Sequence, residues 1–312
     1  MASFDAGLIP LYTVRYATAL ELLLQQMGSK LRGKVREGFQ VGKMASPVNQ
    51  IGAIALKQPA GRFVPKNRTD AEFVRRWVFP QEGEIDQLID SFDELQTIVD
   101  PKAQYVQNAG NAVGRAWDDS IILNATGTAQ IGQDAGSLTS ETFNTTNFQI
   151  AVGFGAGGTA TGLSVAKLIE AKRIFRHYHN DLETDPLCLV IGSQQEADLL
   201  NQVQVVSTEF NDHPVLGTDG KVTRFLGYDI VVSERLPYNV GASNQRGVLT
   251  FVKSGVYLGM WKETTNRVSI RNELSSEPWD LYTSVMYGST RMQPGKVIQI
   301  LCADTTGADI TP

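Results

Sequence analysis

The three histidines, His177, His179 and His213, are the first candidates for chemistry. His177 and His179 stand two apart on a stretch of helical period, so they point to different faces; an i, i+4 pair could share a metal, and this spacing does not. They read as exposed polar positions at a helix end. No His-Glu-x-x-His, Cys-x-x-Cys or Gly-x-Ser-x-Gly occurs. The members of a Ser/His/Asp triad need not be neighbours in sequence, and nothing marks one. Gly153 to Gly158 (GFGAGG) matches Gly-x-Gly-x-x-Gly after a strand-like run, a pattern that can cradle a dinucleotide pyrophosphate. In such a site the third glycine opens the helix. Here Thr159, Ala160, Thr161 and Gly162 intervene, and no acid follows at the tip of the next strand near Gly192. A flexible loop is the better reading. Asp118 and Asp119, beside Trp117, could hold a cation or act as acid and base. A solvated helix face or a bridge to a nearby Arg or Lys is preferred. These residues assign no catalytic, cofactor-binding or metal site, and no cofactor is expected.

Charge is divided along the chain. Residues 1–76 carry 12 Lys/Arg against 5 Asp/Glu, whereas Trp77 to Pro101 holds seven acids and no base. The formal total is −5. A basic segment ahead of an acidic one points to complementary surfaces that meet within a subunit or between neighbours; the alternative is two solvated faces that never touch. Candidate contact residues between subunits are Arg62, Lys66, Arg68, Arg75 and Arg76 on the basic side, with Glu82, Glu84 and Asp86 on the acidic side. The net negative charge argues against a dedicated nucleic-acid binder. The 312 residues, 42% hydrophobic and 20% charged, are ordinary globular composition and a soft prior for about two domains. Cys188 and Cys302 each sit in an apolar run and read as buried free thiols. No apolar stretch approaches a membrane span, and no basic segment precedes the first apolar run. The protein is therefore expected to fold and act in the cytoplasm where it is made.

The elements that would position these groups follow from periodicity. Residues 13–32 read as an amphipathic helix, with Leu20, Leu24, Met27 and Leu31 as its stripe. Residues 33–76, punctuated by Pro47, Pro59 and Pro65, read as extended strands or a long hairpin poor in core residues. Such a segment costs conformational entropy and is stable only when laid on something else. Asp100 and Pro101 suit the cap and first position of a helix to about Asn124, roughly 36 Å long. Its small residues Ala109, Gly110, Ala112 and Gly114 admit close approach by another element. After a Gly/Thr/Ser-rich stretch with one strand near Phe148–Val152, Ser164 caps a second helix striped by Leu168, Ala171, Phe175 and Tyr178. Pro186–Ile191 is a buried strand, and a capping box at Ser193 to Glu196 starts a third helix. The remainder alternates strands and turns: Tyr228–Val232, Val248–Val252, Val256–Met260, Arg267–Arg271, Leu281–Met286 and Val297–Leu301. The class is α+β.

The run Lys221 to Pro237 (KVTRFLGYDIVVSERLP) resembles a segment common in major capsid proteins of tailed double-stranded DNA bacteriophages. Asp90 to Asp119, with Asp100, Tyr105, Arg115 and Asp118, is similar to the lead into that family's spine helix. Leu187–Leu200 and the ending, Tyr287 to Arg291 followed by Pro294 and Val297–Ile300, agree in order. The resemblance covers nearly the whole chain through scattered positions whose order makes it specific.

It implies the Hong Kong 97-like capsid fold. The expected division is an N-terminal arm (1–37), an extended loop (38–80) and a peripheral domain (81–182) with a spine helix over 101–124. An axial domain (183–259) and C-terminal strands returning to the peripheral domain (260–312) complete it. The implied function is a structural protein, not an enzyme, that self-assembles through hexamers and pentamers into an icosahedral head enclosing DNA. Partners implied are a portal, a separate scaffolding protein, a decoration protein and packaged DNA held without sequence preference, with no membrane. The scaffold is expected to be separate because the arm helix begins within about a dozen residues of Met1. The place is the virion, assembled in the host cytoplasm. Rival readings are an encapsulin-type compartment shell, a nucleotide-binding oxidoreductase using the 153–158 glycines, and another virion part such as a tail tube. Deleting 38–76 is expected to leave the remainder folded.

Overall fold

The computed structural model describes residues 23–58, 61, 68–90, 102–202, 222–242, 244–275 and 277–304. The helical period beyond Pro101 becomes α1, Lys102–Thr126. Ala109, Val113, Trp117, Ile121 and Ala125 are buried at a spacing of four, the signature of one covered face.

Strands precede and follow α1. Ahead of it lie β1 (Arg36–Phe39), β2 (Asn49–Ile51), β3 (Phe73–Trp77) and β4 (Gln81–Ile89). Behind it come β5 (Ala129–Gly132), β6 (Thr139–Glu141), the single-turn α2 (Thr145–Phe148) and β7 (Gln149–Ile150). Helix α3 spans Val165–His177, β8 Leu187–Ile191 and α4 Ser193–Leu200. The last third is β9 (Arg224–Phe225), β10 (Tyr228–Val232), β11 (Gln245–Val252), β12 (Val256–Ile270), β13 (Trp279–Arg291) and β14 (Val297–Ala303).

A six-stranded sheet, ordered β7-β14-β11-β8-β10-β9, holds most of the core. Its central strand β8, LCLVI, is buried at every position because both faces are covered. Leu187, Leu189 and Ile191 join Leu168, Ala171 and Phe175 of α3 on one face. Cys188 and Val190 join Ile121, Ile122 and Ala125 of α1, with Leu31 and Val35, on the other. Each Leu, Ile, Val or Phe among them contributes about 1.5–3 kcal/mol by leaving water. Both cysteines are buried and free, as expected; burial pushes each thiol up to about 12.

A second sheet, β1-β12-β13-β4, packs β13 and β4 against the other part of α1, where Val285 and Ile85 meet Val113 and Trp117. Strand β12 is one long element rather than two; register shifts between Met260 and Thr265 interrupt its alternation and made it read as two runs. The third sheet, β2-β3-β5-β6, joins the root of the 49–77 hairpin to the segment after α1.

Two expectations change. The helix over 13–32 fails where it is described: residues 23–32 form no helix, and 13–22 lie outside the described residues. Gly28 and Gly33 sit at φ +67° and +87°, and the amides of Lys30 and Leu31 donate to a side chain instead of to the preceding turn. At α4 the cap is Gly192, one residue earlier than read. The Gln195 side chain accepts from the Gly192 amide at 3.1 Å, and the Ser193 amide donates to Glu234. Helix α3 and β14 both pack with the six-stranded sheet, where β14 lies between β7 and β11, and Val297 of β14 joins the cluster on α1.

Candidate assembly surfaces

Beyond β2 and β3, residues 52–58 and 68–72 continue the two limbs of their hairpin without helix or further strand. Its paired base ends where the Gly52 amide donates to the Glu72 carbonyl at 2.7 Å. Beyond and beside that bond Ile51, Ile54, Leu56 and Phe73 are exposed, Leu56 almost completely at 97%. Scattered apolar residues on a surface are ordinary; this many on one thin hairpin, with little body to cover them, are not.

The hairpin's root, by contrast, is bolted down. Arg76 on β3 is only 4% exposed and forms an ion pair with Glu141 on β6. Trp77 Nε1 donates to the Gly132 carbonyl at 3.2 Å. The Glu141 carbonyl accepts in turn from Arg291 on β13, at 3.2 Å. Arg291 is fully buried and donates to the carbonyls of Ala125 (3.0 Å) and Gly127 (2.8 Å), which end α1 without helical partners. A cation at a helix C-terminus also meets the favourable end of the dipole. Its guanidinium lies 5.3 Å from the Phe143 ring centre. Burial draws its pKa down from the usual arginine value, and Glu141 opposes that. Arg76, Glu141 and Arg291 thus connect the loop's base to the end of the long helix.

The acidic strand is built differently. On β4, Glu82, Glu84 and Asp86 alternate outward while Gly83 and Ile85 turn toward α1. Tyr282 on the neighbouring strand donates to Glu84 at 3.2 Å. A hydrogen bond with Asp280 raises the Asp86 carboxyl above its usual range, because a protonated Asp86 can donate to its neighbour.

The charged residues singled out from sequence fall into three groups. Arg62 and Lys66 lie outside the described residues. Arg68 is exposed on the returning limb of the hairpin, and Arg75 is half-buried and donates to the Gln133 carbonyl at 3.3 Å. Arg76 is committed inside its own subunit to Glu141, because a guanidinium this deeply buried must be paired where it stands. Among the described residues no ion pair joins Arg68, Arg75 or Arg76 to Glu82, Glu84 or Asp86.

The expected bridge from the Asp118–Asp119 pair exists at Asp119, which holds Arg235 by both carboxylate oxygens. Asp118 does something unread in the sequence: it is wholly buried and receives the chain at residues 26–31. Glu141 and Arg291 were also missed, since partners 65 residues away for Glu141 and 150 or more for Arg291 leave no local trace. The 153–158 glycines form successive turns closed on themselves, with the Gly158 amide on the Gly153 carbonyl at 3.3 Å. Behind them the buried Lys167 Nζ donates to the carbonyls of Thr161, Gly162 and Leu301 at 2.8–3.0 Å. Helix α3 starts only at Val165, capped by Ser164 as read. This is a braced loop, and no helix opens at the third glycine as a pyrophosphate site requires. His177 ends α3 and His179 follows in the left-handed region at φ 57°.

Comparison with known proteins agrees with this architecture. The family model described as phage capsid protein matches residues 8–304. No curated protein sequence matches the chain. Among solved structures, the capsid of the cyanophage P-SCSP1u superposes with a TM-score of 0.72 at 16% identity, covering 96% of each chain. A structure from Mycobacterium phage Che8 gives 0.68 at 15% identity, covering 98% of this chain and 100% of that one. The capsid of Ralstonia phage GP4 gives 0.62 at 11% identity over the full length of both. The chain therefore belongs to the phage capsid protein family, as a major capsid protein of Hong Kong 97-like fold.

Proposed function

We propose that this chain builds the icosahedral phage head by self-assembly of hexamers and pentamers, with its extended loop, residues 38–80, laid across a neighbouring copy. The observation that carries this is the exposure of Ile51, Ile54, Leu56 and Phe73 on a hairpin whose base is rigidly held. A solitary subunit would leave that surface wet, at a cost of about 25 cal/mol for each Å² that could be covered. Charge complementarity adds direction: exposed Arg68 and half-buried Arg75 on the loop side, with Glu82, Glu84 and Asp86 on β4, are candidates for pairing between copies.

The proposed division keeps the arm at 1–37 and the loop at 38–80. The peripheral domain is built on α1 with β4, β12 and β13. The axial domain is the six-stranded sheet with α3 and α4, which draws β14 into it. The subunit acts through interface area rather than catalysis. A portal, a separate scaffolding protein and a decoration protein are the proposed partners. Contact with the packaged DNA is non-specific, and assembly takes place in the host cytoplasm before the protein resides in the virion.

The test is a deletion restricted to residues 53–71, closed by a short Gly-Ser turn. The wider cut over 38–76 would remove β3 and Arg76, which belong to the folded body. The 53–71 deletion should give soluble subunits with unchanged far-ultraviolet circular dichroism and no closed shells by electron microscopy. Shells at wild-type yield would remove the loop from the assembly interface.

A further inference from the structure

We propose that Asp118 is the positioning residue of the N-terminal arm: its carboxylate, in the body of α1, fixes the path of residues 26–31 and with it the direction in which residues 23–25 are presented. Asp118 has no exposed surface. One oxygen accepts from Gln26 Nε2 at 2.6 Å and the Lys30 amide at 2.9 Å. The other accepts from the Ser29 hydroxyl and from the Leu31 amide at 3.1 Å. An ionised carboxylate has about four acceptor sites, so a six-residue segment fills the group.

The rest of the same helix face is matched to the arm. Asn111 Oδ1 accepts from the Gly28 amide at 3.1 Å, and Arg115 donates to the Gln25 side chain and the Gln26 carbonyl. Residues 111, 115 and 118 stand on successive turns of one face. Between them Gly114 removes the side chain that would block the crossing: a Cβ there would lie 2.5 Å from Gly28 C and 2.6 Å from Ser29 N. The Arg32 guanidinium then stacks 4.6 Å from the Trp117 ring centre.

The polarity of the arm is inverted by this track. Its polar residues Gln25, Gln26 and Ser29 face the subunit, while Leu23, Leu24 and Met27 are exposed. The path set by Asp118 therefore decides where three apolar side chains are presented. Without the arm, the same carboxylate would lose these four donors, so arm and helix are coupled in both directions.

The test uses the full-length chain and hydrogen exchange, with shell yield as a second readout that rests on the head-building reading above. In the unmodified protein the Lys30 and Leu31 amides should exchange at least about tenfold more slowly than those of residues 24–27. Asp118→Ala should abolish that difference while protection in the six-stranded sheet stays unchanged, and closed shells should become fewer or irregular. Asp118→Asn, which keeps an acceptor oxygen for only one of the two amides, should restore part of it. Gly114→Ala should also deprotect Lys30 and Leu31, although alanine favours the helix, and this result decides the matter if Asp118→Ala does not fold. Wild-type protection of those amides in Gly114→Ala, or normal shells despite their deprotection, would overturn the proposal. A wild-type protein that never forms shells would instead count against the head-building reading, leaving the exchange data to judge the clamp.

Discussion

Replacing Arg291 by alanine should lower the stability of the subunit by about 3–5 kcal/mol, read as a fall in the urea midpoint of the dissociated full-length chain. The side chain is fully buried, and its removal takes the donor from the buried carbonyl of Ala125 and the half-buried carbonyls of Gly127 and Glu141. Each orphaned buried acceptor costs about 1–3 kcal/mol, before the cavity and the lost contact with Phe143 are counted. Arg291→Lys should recover only part of the loss, because one ammonium cannot match the planar fork that reaches three carbonyls and faces a ring. Set against a typical total of about 5–15 kcal/mol, the alanine variant should be mostly insoluble when expressed. A midpoint shift worth less than about 1 kcal/mol would mean that the end of α1 does not depend on this residue.

Arg76→Glu should abolish shell assembly, and salt should not restore it. The substitution places a second carboxylate against Glu141 in a site where Arg76 is 4% exposed, so the base of the hairpin loses its anchor and gains a repulsion. Buried charges are screened weakly, whereas exposed charges further apart than about 10 Å are largely screened at 0.1 M salt. Arg75→Glu is the contrast. Arg75 is half-buried at the surface, so if it meets Glu82, Glu84 or Asp86 of another copy its defect should change with ionic strength. The exchange Arg76→Glu with Glu141→Arg should recover assembly at least in part. Light-scattering assembly curves across a salt series distinguish these cases. Salt-dependent loss in Arg76→Glu, with no recovery in the double exchange, would place Arg76 between subunits after all.

The parts of this fold legible in the sequence are those whose partners are local or periodic. The stripe from Tyr105 to Ile121 located α1 to within two residues at each end, and Ser164 capped α3 where it was read. The strand Tyr228–Val232 matched to the residue. What failed, failed because a distant group outbid a local pattern. Leu24, Met27 and Leu31 repeat as a helix would, yet Asp118, some ninety residues later in the chain, takes the amides that a helix would use. Leu24 and Met27 are consequently exposed while Leu31 is buried. The split of charge between the first 76 residues and the acidic stretch was real as composition but not as a set of equivalent residues. Arg75 and Arg76 are neighbours in sequence on a strand, so they point to opposite faces: Arg76 is held in a buried ion pair, whereas Arg75 donates only to the Gln133 carbonyl at the surface. Of the functional reading, what the sequence carried about residues 33–76 was their poverty in core residues. The bolts that hold the base of the hairpin, Glu141 and Arg291, were not legible, because each is a single residue joined to its partners only by the folded topology.

The account stands most directly on where the apolar side of the hairpin goes when many copies come together. A cryo-electron microscopy reconstruction of particles assembled from the full-length chain should show Ile54 and Leu56 buried against the α1-bearing part of an adjacent copy, with Arg76 still on its own Glu141. Particles whose hairpins fold back over their own subunits, or a protein that stays a compact monomer at micromolar concentration with these side chains covered internally, would contradict it.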